Sequence, residues 1–374
     1  MRPPLSQKEK QKIDPSDINK ILLIRLRRIG DVIMTTPALS ILRKNFPRAF
    51  ISYVVEEPYK ELVEDHPHVD EVLALPENQN TRGLLRFIRS IRKQGFDAVL
   101  DFHSGPRASW ITFFSGAKLK VGYRIKYRNF IYHISVPRNR KNGFYHSVEN
   151  HINLVKALGV QVSAIPPLSL PRPKREDVQK IKNFITENRL HDTKVVVIHI
   201  SAGNEFRNWG ADKIIELTKR LSLHSEVKVV LVGTDEDRDA EALIIKESPA
   251  SLYSLVGRLK LKELRELILS SSLFVGPDSG PMHLAASTST PIVAYFGPTL
   301  PANFAPWKAK ATLIEKGFDC RPCKQRQCIY NDFRCLRSIN PEEVYTACLR
   351  FLKGKESQKQ GHDEDNPEVK KKQE

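Results

Sequence analysis

Residues 275–286 carry the pattern with the clearest chemical meaning in this chain. An apolar strand gives way there to a turn of small residues and then to a helix, so backbone N–H groups at the helix start could hold an anion such as a phosphate. Gly276 and Gly280 let the backbone approach a ligand closely. Asp278 could accept hydrogen bonds from hydroxyl groups, and His283 could donate one to a phosphoryl oxygen. The alternative is an ordinary strand-to-helix turn in which Asp278 caps the helix.

A second candidate site follows the first apolar strand, where residues 25–37 contain several arginines, Gly30, Asp31 and Pro37. Gly30 permits a tight turn, and Pro37 suits the first turn of the helix that follows. Asp31 could act as a general base that takes the proton of an attacking hydroxyl, while the arginines hold an anionic acceptor. The alternative is that Asp31 caps the helix and pairs with a neighbouring arginine.

Two further strand ends could bind the parts of a nucleotide. The loop after strand 195–200 contains Gly203 and Arg207, a composition that suits a diphosphate because it combines open backbone N–H groups with a delocalised positive charge. Trp209 is expected to pack at the start of the next helix. After strand 227–232, Asp237 and its acidic neighbours could bind a ribose diol, or they could form a solvated acidic loop.

Four of the five cysteines lie close together in the sequence, at Cys320, Cys323, Cys328 and Cys335. They could bind a structural zinc ion, remain reduced in a folded loop, or support redox or iron–sulfur chemistry. Only the first two have the Cys-x-x-Cys spacing typical of a zinc knuckle, so the sequence leaves all three alternatives open.

The length of 374 residues, 40% of them hydrophobic, predicts two domains with sizeable cores. The longest apolar runs, such as 195–200 and 227–232, are far shorter than the roughly 20 residues of a membrane span. The first 20 residues contain no apolar stretch typical of a secretory signal. We therefore expect a cytoplasmic protein.

The net charge of +17 predicts an anionic partner or surface. The excess of lysine and arginine lies mainly in the first half of the chain. Nucleic acid is not expected as the partner, because the sequence contains neither a nucleic-acid-binding module nor a stripe of stacking aromatic residues. An anionic lipid or a phosphorylated sugar fits better, and a generally basic solvated surface is the alternative.

Strand-like and helix-like segments alternate along the chain, which is typical of parallel sheets with crossover helices. Prolines at 166, 167, 171 and 173 prevent a helix or a strand from running through this segment, so it is expected to link two domains. We predict an α/β fold in which two Rossmann-like, doubly wound domains face each other across a cleft lined by strand ends. The predicted parts are a polar extension (1–19), an N-terminal domain (20–165), a Pro-rich linker (166–175), a C-terminal domain (176–353) and a disordered tail (354–374).

The Gly30-Asp31 turn, the loop 203–209, the segment 278–283 and the run 291–299 occur together in this chain. In this combination the sequence resembles glycosyltransferase family 9, the ADP-heptose:lipopolysaccharide heptosyltransferases, from about Ile21 to Leu352. The resemblance implies a GT-B fold and an inverting transfer that needs no metal ion. It also implies an ADP-sugar donor bound by the C-terminal domain and a lipid-linked inner-core acceptor bound by the N-terminal domain.

The resemblance assigns roles to individual residues. Asp31 matches the catalytic base of the family, and Arg207 stands where many members have a phosphate-binding lysine. Gly210 stands where a proline often follows the tryptophan, and these two departures leave the fine specificity for the donor open. The residues and the resemblance together give the expected donor-binding set as Gly203, Arg207, Asp237, Leu259, Asp278, Ser279, Gly280 and His283, and the expected acceptor-binding set as Arg25, Arg28 and Arg107.

The expected function is the transfer of heptose from ADP-heptose to the inner core of lipopolysaccharide at the cytoplasmic face of the inner membrane, with the protein held peripherally on that anionic surface. No cofactor is expected in catalysis. Two alternatives remain: a family member that uses another nucleotide sugar or acceptor, and a nucleotide-binding protein without transferase activity. A dehydrogenase is not expected, because no Gly-x-Gly-x-x-Gly follows the first strand.

Overall fold

Two parallel β-sheets form the framework of the protein. The computed structural model describes residues 17–138, 145–248 and 252–353. The first sheet contains β1 (Lys20–Ile24), β2 (Phe50–Glu56), β3 (Glu71–Leu75), β4 (Ala98–Asp101), β5 (Leu119–Tyr123) and β6 (Ile134–Val136). The second contains β7 (Lys194–His199), β8 (Val227–Val232), β9 (Leu252–Ser254), β10 (Leu273–Pro277), β11 (Ile292–Phe296) and β12 (Ala311–Glu315).

The strand order is the same in both sheets. It is β3-β2-β1-β4-β5-β6 in the first and β9-β8-β7-β10-β11-β12 in the second. In each sheet the chain winds outward from a central pair, β1 with β4 and β7 with β10, and ligands of such sheets bind beyond the carboxyl ends of the strands at this switch point. The prediction of two doubly wound, Rossmann-like units is confirmed.

Helices cover the faces of the sheets and connect the strands. They are α1 (Ile29–Ile33), α2 (Thr36–Asn45), α3 (Thr81–Gln94), α4 (Pro106–Phe114), α5 (Ser147–Lys156), α6 (Arg175–Glu187), α7 (Ala211–Leu221), α8 (Arg238–Glu247), α9 (Leu261–Leu269), α10 (Gly280–Ala285), α11 (Pro301–Phe304), α12 (Arg334–Arg337) and α13 (Pro341–Leu352). Among the described residues, no helix has the length and apolar character needed to cross a bilayer.

The apolar runs of the sequence become the central strands because helices cover both faces of each sheet. Residues 21–24 of β1, for example, have no exposed surface. The predicted strands 195–200 and 227–232 are confirmed to within one residue as β7 and β8, but the edge strands β6 and β12 and the helix α4 were not predicted. The two edge strands are short and only partly buried, and α4 carries apolar residues on all sides, so these elements lack the periodicity that reveals a strand or a helix.

The Pro-rich bridge packs between the two sheets instead of forming an open tether. The backbone N–H of Ser169 donates to Thr36 Oγ1 at 3.0 Å, and Trp307 Nε1 donates to the carbonyl of Pro166 at 3.0 Å. Leu168 and Leu170 are buried beside these contacts. Residues 1–16 of the predicted extension and all of the predicted tail lie outside the described residues.

Candidate active site

Helices α1 and α10 bring the two principal sequence motifs into direct contact. A Cβ atom on Gly30 would lie 2.5 Å from Cδ2 of His283, and one on Gly280 would lie 2.7 Å from Cβ of Ile29. Each glycine therefore leaves room for a side chain of the opposite helix, and only a residue without a Cβ fits at this approach. Because Asp31 and Asp278 each lie one or two residues from these glycines, the turn after β1 and the turn after β10 face each other across one crevice.

Asp31 lies in the short helix α1 and is held by an arginine at the end of β1. Arg25 forms an ion pair with the Asp31 carboxylate and donates through Nη1 to the carbonyl of Phe102 at 2.8 Å. Arg25 is 5% exposed, whereas 30% of the Asp31 side chain remains accessible. The helix start at Arg28 has no side-chain cap. Asp31 is thus paired with an arginine and does not cap the helix, and Arg25 is placed to orient it rather than to meet a large acceptor.

Asp278 is buried at the end of β10 and organises its neighbours. Its Oδ2 accepts a hydrogen bond from Thr299 Oγ1 at 2.6 Å and lies 3.4 Å from Arg207 Nη1. Burial raises the pKa of the Asp278 carboxyl, an effect that the Arg207 charge and the Thr299 hydroxyl oppose. The N-cap of α10 is Ser279, without a side-chain capping bond, so Asp278 does not have the capping role that was the alternative.

Two buried histidines stand beside this carboxylate. His283 Nε2 lies 3.9 Å from Asp278 Oδ1, and burial lowers the pKa of His283 to about 3. His199, at the end of β7, has its Nδ1 3.2 Å from Ser279 Oγ, and burial lowers its pKa to about 4. Both imidazoles are therefore neutral near pH 7, where each can donate one hydrogen bond and accept another.

The loop after β7 places Arg207 at the mouth of the crevice. Arg207 Nη1 donates to the carbonyl of Asp278 at 3.2 Å, and Nε donates to Gln325 Oε1 at 2.9 Å. Gly203 has φ +58° with no atom within 4 Å of the Cβ position, so its backbone is open to a ligand. Trp209 is buried and donates to the carbonyl of Ile339, which confirms its predicted packing role.

The other two expected donor residues lie along the same edge of the second sheet. Asp237 Oδ2 accepts hydrogen bonds from Thr234 N at 2.7 Å and Thr234 Oγ1 at 3.0 Å, so its carboxylate closes the turn after β8. Its charge also opposes the lowering of the His199 pKa by burial, which places it near the site. Leu259 is half-buried and packs against the main core.

The remaining arginines expected to bind an acceptor lie on the N-terminal side. Arg107 Nη1 is 2.8 Å from the buried carboxylate of Glu56, and Arg107 Nη2 donates to the carbonyl of Pro76 at 3.1 Å. Arg107 thereby ties α4 to the first sheet. Arg28 is exposed at the start of α1 with φ +67°, which leaves its guanidinium at the surface beside the crevice.

Several residues at the site were not predicted as functional. His103, after β4, is half-buried, and its pKa, lowered to about 4 by burial, also responds to the charges of Arg25 and Asp31. Its place after a central strand could have revealed it. Thr299 ends the run 291–299 and Gln325 comes from a distant loop, but neither residue type indicates a role, so only the folded arrangement identifies their contacts with Asp278 and Arg207.

The four clustered cysteines line one cavity of about 130 Å³ next to the Arg207 loop, together with Phe206 and Phe333. Burial, together with the other three cysteines, raises the pKa of the Cys335 thiol to about 11. Within residues 17–138, 145–248 and 252–353, no three side chains of His, Cys, Asp or Glu are arranged to hold a metal ion. The thiols share a cavity without converging on one point, and zinc binding stays a prediction.

Known proteins match this chain in sequence and in fold. The family model for glycosyltransferase family 9 (heptosyltransferase) matches residues 84–333. Lipopolysaccharide heptosyltransferase 3 of Escherichia coli is 24% identical over 75% of this chain and 84% of its own length. A family 9 glycosyltransferase structure from Veillonella parvula has a TM-score of 0.82 at 24% identity, covering 89% of this chain and 97% of that one. The structure of E. coli ADP-heptose lps heptosyltransferase II has a TM-score of 0.72 at 22% identity, with coverage of 89% and 98%.

Proposed function

Since this chain belongs to glycosyltransferase family 9, we propose that it transfers a heptosyl residue from ADP-heptose to the inner core of lipopolysaccharide. Its relatives include lipopolysaccharide heptosyltransferases and an ADP-heptose lps heptosyltransferase, which supports this donor and acceptor class. One observation carries the proposal: the partly accessible carboxylate of Asp31 lies opposite the buried Asp278 turn, with Gly30 packed on His283. A base on one wall and a cradle for an anion on the other are what a direct displacement requires.

In the proposed step, an acceptor hydroxyl attacks the anomeric carbon of the donor sugar while Asp31 takes its proton. The new carbon–oxygen bond forms as the bond from that carbon to the diphosphate breaks, and the electron pair leaves on ADP with inversion at the carbon. A positioned general base contributes about 10² to 10⁴ in rate. Arg25 holds the Asp31 carboxylate toward the crevice through their ion pair.

The departing diphosphate needs positive charge, and Arg207 is placed to supply it. Its guanidinium is fixed by Gln325 and by the carbonyl of Asp278, so little reorganisation is needed when charge develops on the leaving group. The backbone around Gly203 is not covered by other atoms, so its N–H groups are proposed as further donors to the diphosphate. In this mechanism Asp278 is a positioning residue for Arg207, and no metal ion takes part in the transfer.

The nucleoside and the acceptor are assigned to opposite sides of the crevice. Asp237 and Leu259, near the ends of β8 and β9, are proposed to line the ribose and adenine. The exposed Arg28 is the proposed acceptor contact, whereas Arg25 and Arg107 are engaged by Asp31 and Glu56. We further propose that the protein works at the membrane surface that holds its lipid-linked acceptor.

The test is a product assay with the purified full chain, a panel of ADP-, UDP- and GDP-sugars, and truncated lipopolysaccharide acceptors. The expected result is a glycosylated acceptor formed only with ADP-heptose, lost in Asp31→Asn and retained in the exposed control Asp319→Asn. Transfer only from a UDP-sugar would overturn the donor assignment. Release of ADP without a glycosylated product would favour a hydrolytic or inactive relative.

Metal analysis of protein purified without chelators tests the predicted zinc site. About one equivalent of zinc, lost on substituting Cys323 and Cys328 together, would establish a structural ion held by thiolates. Less than about a tenth of an equivalent of zinc or iron would discard the site and leave four reduced thiols around the cavity.

A further inference from the structure

The C-terminal end of α4 exposes a group of aromatic rings. Trp110, Phe113, Phe114 and Phe130, here called the aromatic cluster, contact one another with ring centroids 4.9 to 6.0 Å apart. Trp110 is 46% exposed, Phe114 41% and Phe130 67%. Contiguous exposed rings are unusual on a soluble surface and mark a site of interaction.

Positive charge surrounds the aromatic cluster. Lys120 Nζ lies 5.7 Å from the centre of the Phe113 ring, and Arg128 Nη1 donates to Ser109 Oγ, next to Trp110, at 3.3 Å. Arg92 packs on Gly116 just beyond α4. Burial lowers the pKa of Lys120, and the nearby charge of Arg92 lowers it as well. We call Arg92, Lys120 and Arg128 the basic rim. The sequence contains no aspartate or glutamate from residue 102 to residue 148.

We propose that the aromatic cluster and the basic rim dock this enzyme on the surface of an anionic phospholipid bilayer. Tryptophan and phenylalanine insert at the boundary between headgroups and acyl chains, and lysine and arginine beside them attract anionic lipid. Each basic residue near such a surface strengthens binding by about fivefold. The charge of the face is therefore complementary to this partner.

The size of the face argues against a stable protein partner. The three exposed rings present on the order of 300 Å² of apolar surface, from their exposed fractions and the usual area of an aromatic side chain. A stable protein interface buries about 800 Å² on each side. A bilayer does not need a large rigid contact, because a few inserted rings and a few charges add up to reversible binding.

The face is also placed where a lipid-linked substrate would need it. Helix α4 begins at Pro106, after the strand end that carries His103 beside the crevice, and ends in the aromatic cluster. The bilayer would thus lie at the far end of a helix that starts at the candidate site. The identity of the acceptor rests on the proposed function, but the binding of lipid does not.

Sedimentation of the full chain with vesicles tests the proposal. Wild-type protein should bind vesicles of phosphatidylcholine with phosphatidylglycerol, bind phosphatidylcholine alone weakly, and be released by salt. Trp110→Ala with Phe130→Ala should weaken binding at least tenfold, because both rings are exposed and can be removed without opening the core. Arg92→Gln with Lys120→Gln should weaken binding about 25-fold on anionic vesicles and leave the weak binding to neutral vesicles unchanged.

Matched controls come from α7, the residues just after it, and α8, which belong to the C-terminal half of the chain. Leu223→Ala with Leu243→Ala removes exposed apolar surface, and Lys219→Gln with Lys246→Gln removes the same charge as the rim variant. Both controls should bind like the wild type. Equal loss in controls and face variants would overturn the proposal, because binding would then follow net charge or total apolar surface.

Two further measurements separate the alternatives. Sedimentation velocity without lipid should show the same mass for wild type and the aromatic variant, and a self-association lost only in that variant would assign the face to a second copy of this chain. Transfer to a delipidated, soluble acceptor should be unchanged in both face variants. If no donor supports transfer but vesicle binding still depends on the aromatic cluster, the proposed function fails and the docking face stands.

Discussion

Substitution of Gly30 by alanine tests the contact on which the candidate site depends. The new Cβ would lie 2.5 Å from Cδ2 and 3.3 Å from Nε2 of His283, whereas carbon atoms in contact are about 3.5 to 4.0 Å apart. His283 is 3% exposed and lies beside Asp278, so its ring cannot move into solvent. The substitution must therefore push α1 and α10 apart by about 1 Å.

This displacement should affect catalysis more than donor binding. Overpacking of a buried contact typically lowers the free energy of unfolding by about 1 to 3 kcal/mol. A misplacement of about 1 Å between reacting groups can reduce the rate by about 100-fold. Arg207 and Gly203, the proposed diphosphate contacts, both lie in the loop after β7 and not on α1, so the dissociation constant of ADP should change little.

The measurements are kcat from product formation at saturating donor, the ADP dissociation constant by calorimetry, and the free energy of unfolding in urea. Gly317→Ala is the control, since a Cβ there has no atom within 4 Å and its φ is not positive. If Gly30→Ala retains the wild-type kcat, then α1 and α10 do not need to be in contact during the reaction, and the assignment of Asp31 to this crevice loses its geometric basis.

Three other perturbations address separate parts of the site. Asp31→Asn should lower kcat by about 10² to 10⁴ while the ADP dissociation constant stays near the wild-type value, and an active variant would exclude Asp31 as the base. Gln325→Ala should weaken ADP binding by about fivefold to 30-fold through loss of the Arg207 anchor, whereas the exposed neighbour Gln327→Ala should not. The free energy of unfolding should fall between pH 6.5 and pH 4, because His199 is buried neutral with its pKa lowered to about 4, while the unfolded chain binds that proton near pH 6.5. His199→Gln should remove up to about 3 kcal/mol of this pH dependence, whereas the exposed control His191→Gln should not change it. If the free energy of unfolding varies equally with pH in the two variants, His199 is not the group responsible.

The framework and the main motifs could be predicted because they depend on local pattern. Long apolar runs such as β1 and β10 can be buried only in the middle of a sheet, and the residues that end them must lie at its carboxyl edge. This places the turns containing Arg207 and Asp278 at the carboxyl edge of the second sheet and the turn containing Asp31 at that of the first, without knowledge of their contacts. The separate roles given to these side chains stay predictions, since the fold fixes their position and not their chemistry.

The partners of the arginines could not be predicted in the same way. The arginines near Asp31 suggested that Arg25 would bind an anionic acceptor, and the family resemblance suggested the same for Arg107, but in the folded chain they meet Asp31 and the buried Glu56. The distance in sequence between Arg107 and Glu56 gives no signal of this pairing. The positive charge available to an acceptor is therefore smaller than the sequence indicates, and Arg28 is the residue of this group left at the surface.

The glycine that departs from the family pattern has a structural reason. Gly210 has φ +116°, which a proline cannot adopt, and a Cβ there would collide with Arg337 and Asp212. Those two residues form an ion pair at 2.9 Å. Arg337 follows the cysteine-containing segment, whose Gln325 holds Arg207, so residues 325 and 337 together support the loop after β7 and the start of α7. The departure at 210 thus belongs to an alternative support for the loop and does not indicate a lost site.

Helix α4 relates the proposed docking face to the choice of acceptor. Its nine residues rise by about 1.5 Å each, so the helix is roughly 14 Å long. With a bilayer at the aromatic cluster and the attacking hydroxyl near Asp31, the acceptor has only about this distance to span. A hydroxyl on a sugar close to the lipid can reach the crevice, whereas one at the end of a long saccharide would lie beyond it. The proposed docking geometry therefore favours an acceptor hydroxyl close to the lipid.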